Sequence, residues 1–247
     1  MSRTWVVFIH SLRTNVLSRQ GGIALGSAVV GVLIAFFGMK GSLVDFISQS
    51  GGEGPPGFLE NGVALLGYMV SLMITVFLGI MLGVGSLTKE KAKGVVESLL
   101  AVPLRPWELL WGKTLGVFLP AAILGLALSW GAVWALNVLA LKPLLGHGVY
   151  PWAALVTCSV GVPLLGFGVS LLVNLLGLII PNPNLASLVL VLAVVGITNA
   201  LPRLGMDFSS WKFTWINLAL GAALVLAIFP LSSLLTKERI ILSARRE

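Results

Sequence analysis

Six stretches of this chain are long and apolar, and apart from Lys113 at the edge of the third they contain no charged side chain. They run over residues 21–39, 62–87, 110–140, 152–180, 185–201 and 213–235. A backbone in lipid must satisfy its own amides within the segment, so stretches of this kind become transmembrane helices. Composition agrees: 57% of residues are apolar and 10% are charged, against about 25% charged in soluble domains. Mean hydropathy is +1.01. Connections this short leave no room for a soluble domain, so residues 1–247 are expected to form one helical bundle. Any soluble activity must come from a partner.

Orientation follows from where Lys and Arg fall. With six spans the two termini share a side, and on it lie Arg3, Arg13, Arg19, Lys89, Lys91, Lys93, Arg105, Lys113, Lys237, Arg239, Arg245 and Arg246. Lys40, Lys142, Arg203 and Lys212 are left opposite. Both termini are therefore expected in the cytoplasm, with the protein in the cell membrane. The net charge of +7 orients the chain and attracts anionic membrane lipid; nucleic acid is not an expected partner. The N-terminus is expected to be retained, because the first apolar run has full span length rather than the short core of a cleavable signal.

Residues 2–19 place Trp5, Phe8, Ile9, Leu12 and Val16 on one helical stripe, with Arg3, His10, Arg13, Asn15 and Arg19 around the rest. This pattern predicts an amphipathic helix lying in the membrane interface. Residues 40–61, rich in Gly and Pro around Gly51 to Gly57, read as an irregular outer loop. Pro120 predicts a kink in the third span. Trp130, Trp134, Trp152, Trp211 and Trp215 fall at belt positions on the outer side, Trp107 and Trp111 on the inner one. Pro181 to Asn184 reads as a tight turn, residues 201–213 hint at helical pieces dipping back into the membrane, and residues 236–247 form a basic tail.

The chemistry that is missing narrows the function. Ion-coupled transporters usually need ionisable groups within the membrane, and apart from Lys113 at the edge of the third the spans carry none. His10 and His147 are the two histidines, and both lie outside the spans, so no base is placed for an intramembrane hydrolase. Cys158 is the single cysteine, which rules out an internal disulfide or a thiolate metal cluster. No catalytic residue, cofactor or metal is therefore expected on this chain. Gly112-Lys113-Thr114 looks like the end of a phosphate-binding loop, but Trp107 stands where that loop needs its first glycine. Scattered polar residues remain in the spans, among them Ser71, Thr75, Asn137, Asn174, Asn199 and Asn217. Two roles are open to them: interhelical hydrogen bonds, or a weakly polar lining for a translocation path.

Between the second and third spans lies a charged island, Thr88 to Thr114, with five Lys/Arg and three acids. After Gly94, residues Val95, Val96, Leu99 and Leu100 share a stripe flanked by Glu97 and Ser98, and Pro103 ends the helix. Pro106 and Glu108 suit the first turn of the next one. A short amphipathic helix is thus held between two membrane helices, a placement suited to transmitting force.

The island resembles the signature of the type-2 (exporter) permeases of ATP-binding cassette transporters, approximately E-x-x-x-G-[ST]-x-E-x-L-L-x-x-P and closing on Gly-Lys. Glu90, Gly94, Glu97, Leu99, Leu100, Pro103, Gly112 and Lys113 match it; Val95 stands where Ser or Thr is usual, and Pro106 is a second departure. The resemblance implies an all-α membrane protein with six transmembrane helices, an N-terminal interfacial helix (2–19), and a cytoplasmic coupling helix within the loop 88–108. It further implies a second permease copy or paralogue and two copies of an ABC-type ATPase subunit, which carry the ATP and magnesium. Glu90, Gly94, Val96, Glu97, Leu99, Leu100, Pro103 and Arg105 are the implied ATPase contacts, with Arg105 and Lys113 at the membrane edge. The expected function is export driven by the partner ATPase. The alternative is an anchor or mechanical transmitter that links an ATPase to an extracytoplasmic partner and moves nothing itself.

Overall fold

The computed structural model describes residues 3–50, 57–92, 105–180 and 205–244, together with Asn182 and a few single positions between 188 and 200. Every regular element among them is helical: α1 (Arg3–Val16), α2 (Arg19–Ser50), α3 (Phe58–Leu72), α4 (Gly79–Ala92), α5 (Pro106–Leu136), α6 (Lys142–Leu145), α7 (Trp152–Val156), α8 (Val162–Ile179), α9 (Trp211–Leu231) and α10 (Lys237–Ala244). π-helical turns join α3 to α4 (Met73–Leu78), α5 to α6 (Asn137–Leu141) and α7 to α8 (Thr157–Gly161). Among the described residues, five continuous helices are long and apolar enough to cross a membrane: Gly21–Gln49, Phe58–Gly85, Pro106–Leu145, Trp152–Ile179 and Trp211–Leu234. This is an all-α architecture of the kind that crosses membranes. The expected span 185–201 lies largely outside the described residues, as do the turn at Pro181 and Pro183 and the loop 51–56.

The α3–α4 span is the centre of the bundle. Its most apolar window is 78% buried, against 17% for the α2 span and 22% for the α9 span. Around it, Leu43, Val63, Leu66, Val70, Leu136 and Leu141 pack α2 and α5 on one side. Tyr68, Val76, Val162, Val169, Phe208 and Phe213 pack α8 and α9 on the other.

The expected outer loop 40–61 is mostly helix instead, because α2 continues to Ser50. The apolar run stops at Lys40, but the periodicity does not. Phe36, Leu43 and Ile47 are all buried, Leu43 fills the space over Gly62, and Phe46 meets Phe58 at 4.2 Å. The third span runs through Pro120 as one helix. It ends at Gly146, whose φ of 76° is open to glycine at little steric cost. Residues 206–210 form turns rather than helix; Asn61 Oδ1 accepts from the Phe208 amide at 2.7 Å.

The N-terminal helix forms as expected, but its apolar stripe is not its docking face. Trp5 and Ile9 are exposed, whereas Val7, Ser11 and Asn15 are buried. That small, partly polar face lies on Gly112 and Gly116 of α5. A Cβ at Gly112 would stand 2.7 Å from Val7 Cγ1 and 3.0 Å from the Thr4 carbonyl oxygen; one at Gly116 would stand 2.7 Å from Ser11 Cβ and 3.1 Å from the Leu12 amide nitrogen. The exposed stripe is left for the surroundings. Of the tryptophans expected at belt positions, Trp130, Trp134, Trp152, Trp211 and Trp215 are all exposed. Trp107 and Trp111 instead pack inward, on Phe229 and Phe167.

Gly116→Val should undock α1, at a cost of about 1–3 kcal/mol, because backbone as well as side chain blocks the added methyls. Gly26→Ala, with nothing within 4 Å of the new Cβ, should be neutral or stabilising by up to about 1 kcal/mol. Thermal unfolding of the purified full chain, with proteolysis at residues 3–16, separates the two outcomes.

Candidate functional site

The ends of the charged island meet a buried cluster. Glu90, near the end of α4, forms an ion pair with Lys113, two turns into α5; the Lys113 side chain is 4% exposed and that of Glu90 14%. The Lys113 side chain is therefore buried within the bundle. It is held inside, because the face of α5 that carries it packs against α1 and α4. A buried cation needs its counter-charge at contact distance, and Glu90 supplies it.

Lys91, one residue on, is also buried and points elsewhere. Its Nζ donates to the Ile180 carbonyl at 2.7 Å and to Ser243 Oγ at 3.1 Å. Ser243 Oγ in turn lies 2.8 Å from the Leu178 carbonyl oxygen. Leu178 and Ile180 belong to the end of α8, where the last carbonyls lack intrahelical partners and the helix dipole favours a cation. Two adjacent residues thus tie α4 to three other elements: Glu90 to α5, and Lys91 to α8 and α10. The tail helix is seated by Ile240 as well, 0% exposed among Leu87, Leu109, Leu171 and Leu178. Sequence reading treated 236–247 as a basic tail and missed this docking. The available signal was the spacing of Ile240 and Ser243, one turn apart on one face.

Arg105 is exposed and precedes α5. Its backbone N–H donates to Glu108 Oε2 at 2.9 Å, as expected for an acid in the first turn after Pro106. Gly94, Val96, Glu97, Leu99, Leu100 and Pro103 lie outside the described residues, and so does Asn199.

Ser71, Thr75, Asn137, Asn174 and Asn217 are all buried, and most of them bind across helices. Tyr68 Oη donates to Asn217 Oδ1 at 3.2 Å. Ser71 Oγ donates to the Cys158 carbonyl at 3.3 Å; Cys158 lies in a π turn, where the widened backbone frees a carbonyl that needs an outside donor. Thr157 Oγ1 and Thr214 Oγ1 are 2.8 Å apart. Asn137, also starting a π turn, holds the chain near the end of the third span: its Nδ2 donates to the Val149 carbonyl at 3.0 Å, and its Oδ1 accepts from the Val149 amide at 2.6 Å. Thr75 and Asn174 differ. Thr75 Oγ1, Asn174 Oδ1 and the neighbouring Ser170 Oγ are buried without a hydrogen-bond partner.

Among the described residues no group of His, Cys, Asp and Glu is assembled for a metal. No family model matches the chain, and no curated protein or solved structure does.

Removing one member of the Glu90–Lys113 pair should strand a buried charge or its partner. Lys113→Met alone should cost about 3–5 kcal/mol, and the double variant Glu90→Gln/Lys113→Met should recover much of that loss. Thermal or denaturant unfolding of the four proteins of the cycle measures the coupling.

Proposed function

We propose that this chain is the membrane-spanning permease subunit of an ATP-binding cassette transporter. It couples ATP hydrolysis on a separate ATPase to export across the cell membrane, with both termini in the cytoplasm. The observation that carries this reading is the Glu90–Lys113 ion pair. These two residues are the first and last matched positions of the island's permease signature, and they bind each other. The pairing gives a physical reason for carrying an acid and a lysine 23 residues apart: it closes the island at its base and fixes the ends of α4 and α5 together. A helix at Gly94 to Val102 on this base, pushed by a partner, moves both spans as a unit. Lys91 extends the same base to α8 and α10.

In this reading the complex holds two permeases, as copies or paralogues, and two ATPase subunits with their ATP and magnesium. Glu97, Val96, Leu99 and Leu100 form the contact on this chain. Glu90 is engaged internally and acts by holding the loop, while exposed Arg105 is free to meet the ATPase. The wide exposed apolar faces of α2 and α9 suit lipid or the second permease.

Glu97→Lys should leave the full chain folded and abolish its capture of an ATPase from solubilised native membranes. A reversed charge at a contact costs about 2 kcal/mol or more, roughly thirtyfold in affinity. Undiminished co-purification, or its absence from the wild type, overturns the reading. ATP turnover in liposomes without flux, with an extracytoplasmic protein bound, points instead to a mechanical transmitter.

A further inference from the structure

The N-terminal helix is held on one face only. Val7, Ser11 and Asn15 are buried, and the seat at Gly112 and Gly116 fixes the roll of α1 about its axis. With about 100° between successive residues, Ile9 and Arg13 then stand opposite the seat. Trp5 lies to one side of them, beside half-buried Phe8 and Leu12, and its ring stacks at 4.9 Å on that of Phe8. His10 and Thr14 lie to the other side, and both are exposed. The free arc of α1 therefore passes from apolar through cationic to polar.

Two anchors place this arc at the membrane surface. Only Leu17 and Ser18 separate α1 from α2, whose apolar run opens at residue 21. Ser18 closes the turn: its Oγ accepts from the Gly21 amide at 3.0 Å and its carbonyl from the Gly22 amide at 2.9 Å. The second anchor is the seat itself, because the apolar run of α5 has just begun at residue 110. Both anchors hold α1 at the level where spans enter lipid, so exposed Trp5, Ile9 and Leu17 have acyl chains within reach.

Charge selects the class of lipid. No Asp or Glu precedes Asp45, whereas Arg13 and Arg19 are exposed, and neither forms an ion pair among the described residues. An apolar flank beside unpaired guanidinium groups is complementary to a leaflet whose headgroups carry net negative charge. A zwitterionic leaflet accepts the apolar flank but leaves the cations uncompensated. The contact also has a consequence inside the bundle. Lys113 follows Gly112 directly and is 3% exposed, and α1 covers the glycine face beside it.

We propose that the free face of α1 is a docking surface for anionic phospholipid, and that lipid bound there keeps α1 seated on α5 and Lys113 enclosed with Glu90. The proposal stands independently of the transport reading.

The test places the full chain in nanodiscs of phosphatidylcholine alone, or of phosphatidylcholine and phosphatidylglycerol in equal parts. Two rates are read: hydrogen exchange at the amides of residues 3–16, and acetylation of Lys113 by an N-hydroxysuccinimide ester, with exposed Lys142 as internal reference. A single arginine near an anionic surface favours the bound state about fivefold. Exchange in α1 should therefore be on the order of tenfold slower in the anionic discs, with Lys113 acetylated correspondingly more slowly, and high salt should erase the difference. Arg13→Gln/Arg19→Gln should exchange alike in both discs, and Gly116→Val should open Lys113 to acetylation in both. Equal α1 exchange of the wild type in the two lipids overturns the proposal, as does a difference that survives Arg13→Gln/Arg19→Gln. Acetylation of Lys113 that does not follow α1 exchange overturns the link to the ion pair. Protection that requires an added soluble protein in either lipid assigns the face to that protein and overturns the proposal too. If the double variant does not fold, the wild type in the two lipids at low and high salt decides alone. Neither readout needs an ATPase or flux, so the Glu97→Lys experiment can fail while this one succeeds.

Discussion

Everything in this bundle has to be built around one buried rod. The α3–α4 span is enclosed by α2, α5, α8 and α9, and helices can crowd one axis only where side chains are small enough to let backbones approach. Glycine supplies that room in specific pairings: Gly62 under Leu43, Gly67 under Val133, Gly166 and Gly125 around Thr75, and Gly79 under Ser170. The same device seats α1 on Gly112 and Gly116. Where no helix approaches, as at Gly22 and Gly26, a small-xxx-small spacing has no packing role in this chain. Spacing alone does not separate the two cases; the neighbour does.

Close approach leaves little freedom at the ends of the rod, and there the chain uses charge. Glu90 and Lys91 follow each other, so on a helix their side chains diverge by about 100°, and each reaches a different neighbour. One ion pair and one lysine therefore link four elements at a single level. A buried pair of this kind contributes little net stability compared with apolar packing, but breaking half of it is expensive. Its effect is to fix geometry, and the geometry fixed here is the base of the island.

The sequence made the fold legible where the physics is one-dimensional. Span length and the absence of charge located the five long apolar helices of the described residues, and the stripe from Trp5 to Val16 marked α1. It failed where a second element decides. Lys40 ended the first apolar run, yet α2 continues because Leu43 and Phe46 find Gly62 and Phe58 across the hairpin. The Trp5 stripe correctly marked an apolar face but not the docking face, because Val7 and Ser11 fit Gly112 and Gly116, far along the chain. At the island, Glu90 and Lys113 were both singled out from the motif, but their contact with each other has no local signature. The roles of Lys91 and Ser243 depend on α8 ending beside them, which no spacing announces.

The polar residues sharpen this contrast. Ser71, Asn137, Thr157 and Asn217 read alike in sequence with Thr75, Ser170 and Asn174, all single polar groups in apolar spans. In three dimensions the first group finds matched donors and acceptors, Ser71, Thr157 and Asn217 across helix pairs and Asn137 on the chain at Val149. The second group faces glycines. A hydrogen bond across two helices resists their separation, whereas a hydroxyl over a glycine holds nothing and leaves its capacity unused. The central rod is therefore tied at one end by matched hydrogen bonds and at the other by the Glu90/Lys91 cluster, and between them it is held by close packing against glycines.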